Sequence, residues 1–97
     1  MKSEKKEAYK KKVEAELEKL EAKINLLIAK AKNASADTRI KAQNQISLLK
    51  KKYENVSEEI SGLQSKSKEA WEEVTSGIDE ALDDLKVTVD EAIEQFS

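Results

Sequence analysis

The residues able to do chemistry are carboxylates and lysines, because the chain contains no histidine and no cysteine. Carboxylates recur in adjacent or four-apart pairs: Glu72-Glu73, Asp79/Asp83, Glu80/Asp84 and Asp90/Glu94. Such pairs can do acid–base work only in a desolvated cleft that drives two pKa values apart, and no segment suggests one. A di-metal helical bundle presents Glu-x-x-His pairs, and histidine is missing. Zinc sites built on Cys or His, cysteine nucleophiles and Ser-His-Asp triads are excluded by the same absence. Gly62 and Gly77 are the only glycines, fifteen apart with no Lys-Ser/Thr motif, so no phosphate loop is expected. We therefore expect no enzyme, no catalytic residue, no cofactor and no dedicated metal site, and read the carboxylates as a solvated acidic face.

Lysines are the other half of the charge. Residues 1–55 carry fifteen Lys or Arg against eight acids, a net of +7, whereas residues 56–97 carry three against twelve, a net of −9. The total of −2 hides this split. A basic half can signal nucleic acid, but there is a single arginine, Arg39, the pI is near 5.3 and no aromatic platform interleaves the lysines, so nucleic acid is not expected. The alternative is that the halves answer each other. On a helix, like charges four apart repel by about 0.2–0.5 kcal/mol per pair, and lysines packed alongside relieve this. In an antiparallel arrangement Lys50–Lys52 fall level with Asp79–Asp84.

These groups must be carried by helices. Of the 97 residues 39% are charged and 4% aromatic, with no proline; strands would need turn residues every eight to twelve positions. Apolar residues recur at alternating steps of four and three. The first stripe is Tyr9, Val13, Leu17, Leu20, Ile24, Leu27, Ala31 and Ala34. The second is Ala42, Ile46, Leu49, Tyr53, Val56, Ile60 and Leu63. The third, which is broader, is Ala70-Trp71, Val74, Ile78, Ala81-Leu82, Leu85, Val89, Ala92-Ile93 and Phe96. The large apolars vanish around Asn33–Thr38 and around Ser61–Ser67. Asn33 is expected to end the first helix in a left-handed cap, with Ser35 or Asp37 starting the second and Ser65 or Ser67 the third. Ser76-Gly77-Ile78-Asp79 is a weaker break with capping-box spacing.

The expectation is one all-α, coiled-coil domain spanning 1–97, with long amphipathic helices near 3–33, 36–62 and 67–96. They form either a three-helix bundle or an antiparallel coiled-coil hairpin or rod. Neither break contains proline, and the passage from Ala34 through Thr38 to Ala42 would be only a stutter in an unbroken rod. Alanine or serine holds seam positions at Ala31, Ala34, Ala42 and Ser67. A chain this short buries only about 60–65% of its unfolded surface, so a monomer would be marginal and self-association, with a dimer favoured, is expected.

The apolar seams carry assembly, with Val13, Leu17, Leu20, Ile24, Leu27, Ile46, Leu49, Tyr53, Val56 and Ile60 as knobs, and Val74, Ile78 and Leu85 continuing the seam on the third helix. Trp71 and Phe96 are the candidate partner anchors, since large aromatics dominate contact energy. Tyr9 and Tyr53 fit seams with their hydroxyls in water. The partner is a second copy or another helical protein. Peripheral membrane binding by residues 67–96 is the rival reading; interfacial helices usually have a basic polar face, whereas this one is acidic and anionic lipid would repel it. No stretch approaches the roughly eighteen apolar residues of a spanning helix, and the chain opens on charge instead of an apolar signal core, so the expected location is the cytoplasm.

One resemblance rests on the residue order. Tyr9 with Lys10–Lys12, Ala15-Glu16-Leu17, Ile24, Ala29-Lys30-Ala31-Lys32, Ala34 and Ala36-Asp37 come in sequence. Ile46, Leu49 and Lys51 follow, then Leu63, Ser67, Ala70-Trp71, Gly77, Ala81, Leu85, Ala92 and Phe96. This resembles a family of small bacterial coiled-coil proteins, found in cyanobacteria and proteobacteria and often described as stress-response or hypothetical proteins. The likeness covers nearly the whole chain, and Ser67-x-x-Ala70-Trp71-Glu72 with Gly77 is its most specific part. Val74 departs from the leucine that family members tend to have, and a second tryptophan common near their tail is missing. The resemblance implies a helical coiled coil, a bacterial cytoplasmic origin and a loose stress association, with no catalytic residues.

Overall fold

A computed structural model describes residues 4–96, so the expected helix start at residue 3 lies outside the described residues. Three helices account for nearly all of it: α1 Glu4–Lys32, α2 Ala36–Ser61 and α3 Trp71–Phe96, with no strand among the described residues. They pack as a three-helix bundle of 54 × 18 × 17 Å, in which α2 runs antiparallel to α1 and α3. Each helix touches both others, so the hairpin or rod is not the arrangement adopted within one chain.

The stripes become the core. Val13, Leu17, Leu20, Ile24, Leu27 and Ala31 from α1, Ala42, Ile46, Leu49, Val56 and Ile60 from α2, Leu63 from the second connection, and Ile78, Leu85, Val89 and Ala92 from α3 form one buried cluster. Among the described residues no polar or charged side chain is buried with them. That follows from the heptads: every seam position inside a helix is apolar, so no buried polar group needs a partner.

The connections differ from expectation in detail. No described residue has a left-handed φ, so Asn33 does not end α1 in that way. The amides of Asn33 and Ala34 instead donate to the carbonyls of Lys30 and Ala31, both at 3.2 Å. Such tight i→i+3 closure satisfies the helix end without glycine. Ser35 occupies the N-cap position of α2 in extended backbone, but its hydroxyl donates to Thr38 Oγ1 at 3.0 Å and accepts no backbone N–H. Beyond α2 come a short 3₁₀ turn, Leu63–Ser65, and further turns to residue 70. Helix α3 therefore starts at Trp71, four residues later than the periodicity suggests, and Ser67 is exposed, not in the seam. Its Oγ accepts the Ala70 N–H at 3.3 Å and so prepares the helix start. The break suspected at Ser76-Gly77 does not occur; α3 runs through both residues.

Candidate interaction surface

The expected interaction residues separate into two sets. Val13, Leu17, Leu20, Ile24, Leu27, Ile46, Leu49, Val56, Ile60, Ile78 and Leu85 are buried within the bundle, whereas Tyr53, Trp71, Val74 and Phe96 are half-buried. The first set holds the three helices together and is closed to any outside partner unless the bundle opens. The half-buried apolar fringe comprises Tyr9, Ile28, Tyr53, Trp71, Val74, Ala81, Leu82, Ile93 and Phe96, and six of these nine lie on α3. The bundle therefore leaves the broad stripe of α3 less completely covered than those of α1 and α2. Leu26, Ile40, Leu48 and Val87 are large apolar residues that face solvent at 43–59% exposure.

One end of the α1–α3 contact is built from polar and aromatic groups. Tyr9 stands on α1 with its ring edge-on to Trp71, centroids 5.7 Å apart and planes at 68°. Its hydroxyl is not simply in water: it donates to Asp79 Oδ1 at 2.5 Å, with the Thr75 carbonyl 3.1 Å away as a second acceptor. Thr75 in turn donates its own hydroxyl to the Trp71 carbonyl at 3.0 Å. Burial, first, and then the hydrogen bond and negative charge of Asp79 hold the Tyr9 phenol well above its usual pKa. Burial also raises Tyr53, with the charge of Glu21 the next cause.

The Tyr9 contact has a consequence in alkali. A phenol whose pKa is raised by folding stabilises the fold fully below the unfolded value near 10, and that stabilisation is lost as pH rises through the folded value. Melting temperature should therefore fall more steeply above about pH 10 in the wild type than in Tyr9→Phe, which has no proton to lose there. Thermal melts from pH 8 to 11 test this, and parallel profiles for the two proteins would remove Tyr9 as the cause.

Charge pairing between the halves is real but selective. Lys52 donates to Asp84 Oδ2 at 2.6 Å and reaches Thr88 Oγ1 at 3.4 Å, so α2 and α3 meet as the antiparallel order requires. Lys23 of α1 pairs with Asp90 of α3 at 3.0 Å. Lys50 and Lys51 are exposed. Their neighbour is the member of the triplet on the α3 edge, because successive helix residues turn by about 100°. Lys52→Glu should accordingly lower the melting temperature by the equivalent of about 0.5–1 kcal/mol at low salt. The effect should shrink at 1 M salt. Lys50→Glu should do little by comparison, and equal effects of the two variants would refute the pairing.

The remaining contacts between elements are light. Lys6 Nζ donates to the Lys66 carbonyl at 2.7 Å and Gln64 Nε2 to Glu7 Oε1 at 3.2 Å, all at the end where α2 turns into α3. An open groove there is lined by Glu58, Glu59, Gly62, Lys66, Glu73, Val74 and Gly77. Among the described residues no cluster of three or more His, Cys, Asp or Glu side chains has the geometry to hold a metal ion. No described helix is long and apolar enough to cross a membrane. The fold and this surface define an all-α three-helix bundle in which Tyr9, Lys23, Lys52, Asp79, Asp84 and Asp90 join one helix to another. No protein-family model, curated protein or solved structure matches the chain.

Proposed function

We propose that this is a non-enzymatic interaction protein that acts by self-assembly, with a dimer favoured, or by holding a partner helix in coiled-coil fashion. The observation that carries the reading is the uneven cover of α3: Trp71, Val74, Ala81, Leu82, Ile93 and Phe96 are all left half-buried. An incompletely covered apolar stripe with aromatics near both ends of a helix suits a further helix. Supporting it, Tyr9, Lys23, Lys52, Asp79, Asp84 and Asp90 are engaged in contacts between helices, which fits a structural protein. A cytoplasmic, stress-related role in a bacterium is the setting that the family resemblance suggests.

Membrane-surface binding by α3 is the second reading, favoured by the same fringe and opposed by its acidic polar face. Light-scattering mass after gel filtration, from micromolar to high concentration, is the deciding experiment. A mass above the 10.9 kDa monomer is expected; a clean monomer throughout would sink self-assembly. In parallel, flotation with neutral and anionic vesicles and a blue shift of Trp71 emission would establish the membrane reading instead.

A further inference from the structure

We propose that α3 leaves its own bundle and packs on α1 and α2 of a second copy, through straightening of the 62–70 connection into helix. This rests on the self-assembly reading and names its route.

Heptad phase is the first ground. Ile60, Leu63, Ser67, Ala70 and Val74 continue the alternating steps of three and four straight through the connection. A straightened α2–α3 helix would keep the α2 stripe on one face as far as Val74, and the four-residue steps Ala70, Val74, Ile78 and Leu82 then form a stutter that an unbroken helix accommodates. The 33–35 connection carries the same stutter, at Ala34, Thr38, Ala42 and Ile46, so heptad phase permits straightening at either connection.

Backbone conformation is the second ground. Gly62 already sits in the right-handed helical region, φ −83° and ψ −4°, and Leu63–Ser65 is a 3₁₀ turn of the same hand. Lys66 departs from helix, at φ −84° and ψ 145°. No described residue is left-handed and the chain has no proline, so no residue of the connection forbids a helix. Leu63, buried in the core, is the connection's main anchor; residues 64–69 are exposed, and the two side-chain contacts reaching it from α1 come from half-buried Lys6 and Glu7.

Topology is the third. Because α3 runs antiparallel to α2, two straightened chains about a twofold axis place α3 of each antiparallel to α2 of the other. The α1–α3 and α2–α3 contacts of the monomer are then remade between copies, the Lys52–Asp84 and Tyr9–Asp79 bonds included, while α1–α2 packing stays within each copy. Such exchange needs no new interface, which makes it a low-cost route to a dimer. The merged helix would span about 90 Å at 1.5 Å per residue.

Ser67 separates the two states, being exposed in the bundle and on the seam of the straight helix. Ser67→Pro suits the bend, since Lys66 already has the extended conformation preferred before proline, and it breaks the straight helix. Protein warmed to its melting transition at high concentration and cooled should give a dimer by light scattering for the wild type. Ser67→Pro should weaken that association about a hundredfold or more while keeping the monomer's far-ultraviolet spectrum. Ser67→Leu should strengthen it by about tenfold. A wild-type dimer matched by equal dimer in Ser67→Pro, or no gain in Ser67→Leu, overturns exchange and leaves assembly through outer surfaces. A wild type that stays monomeric overturns both readings.

Discussion

Leu85→Ala is expected to destabilise the bundle by about 2–5 kcal/mol, from lost transfer free energy and the cavity left behind. Leu85 is 0% exposed, central on α3, and belongs to the one buried cluster that all three helices share. A small domain has about 5–15 kcal/mol in all, so this single truncation removes a large fraction of it. Leu26→Ala supplies the contrast, because Leu26 is 51% exposed although it adjoins the buried Leu27. Its effect should stay within about 0.5 kcal/mol. Chemical denaturation of the two variants under identical conditions measures the difference. Equal losses would mean that α3 is not seated on its partners as described, or that Leu26 is covered in solution by a second molecule.

The contrast also shows why so much of the fold can be read from the residues. A four-three spacing of Val13, Leu17, Leu20, Ile24 and Leu27 leaves one solution for a helix in water, which is to bury that stripe. All five are buried, as are Ile46, Leu49, Val56 and Ile60 on α2. Periodicity fails where it is indifferent to the outcome. Ser67 and Ala70 keep the heptad phase whether the chain is bent or straight, so spacing alone could not place the start of α3 at Trp71. The bent form is selected by tertiary burial of Leu63 and α3 on the rest of the bundle, a non-local effect.

Polar partners were readable only so far as helix order was. Lys52 and Asp84 follow from antiparallel α2 and α3, but Lys23 with Asp90 depends on α1 and α3 lying side by side and parallel. The Tyr9 hydroxyl shows the same limit. A tyrosine at the edge of a seam usually keeps a wet tip. Asp79 and the Thr75 carbonyl become its partners once α3 is docked on α1. The signal available beforehand was that Tyr9 heads the first stripe and Trp71 the third, at the ends that parallel α1 and α3 bring together.

Trp71→Ala is expected to be the next most damaging change, at about 2 kcal/mol. The lower end of the core-truncation range applies because Trp71 is half-buried. Its ring is the edge-to-face partner of Tyr9 and stands at the first residue of α3, where few other contacts fix the helix to α1. Part of the loss should therefore be shared with Tyr9. In a double-mutant cycle with Tyr9→Leu, which removes ring and hydroxyl together, about 0.5–1.5 kcal/mol of coupling should appear. Tyr9→Phe keeps the ring contact but loses the bond to Asp79. It should show less coupling to Trp71→Ala than Tyr9→Leu does, and this separates aromatic packing from hydrogen bonding. Equilibrium urea unfolding of the single and double variants measures these couplings. Additive losses for Tyr9→Leu and Trp71→Ala would show that the two rings do not support each other. The start of α3 would then depend on Val74, Ile78 and the Tyr9–Asp79 bond for its attachment.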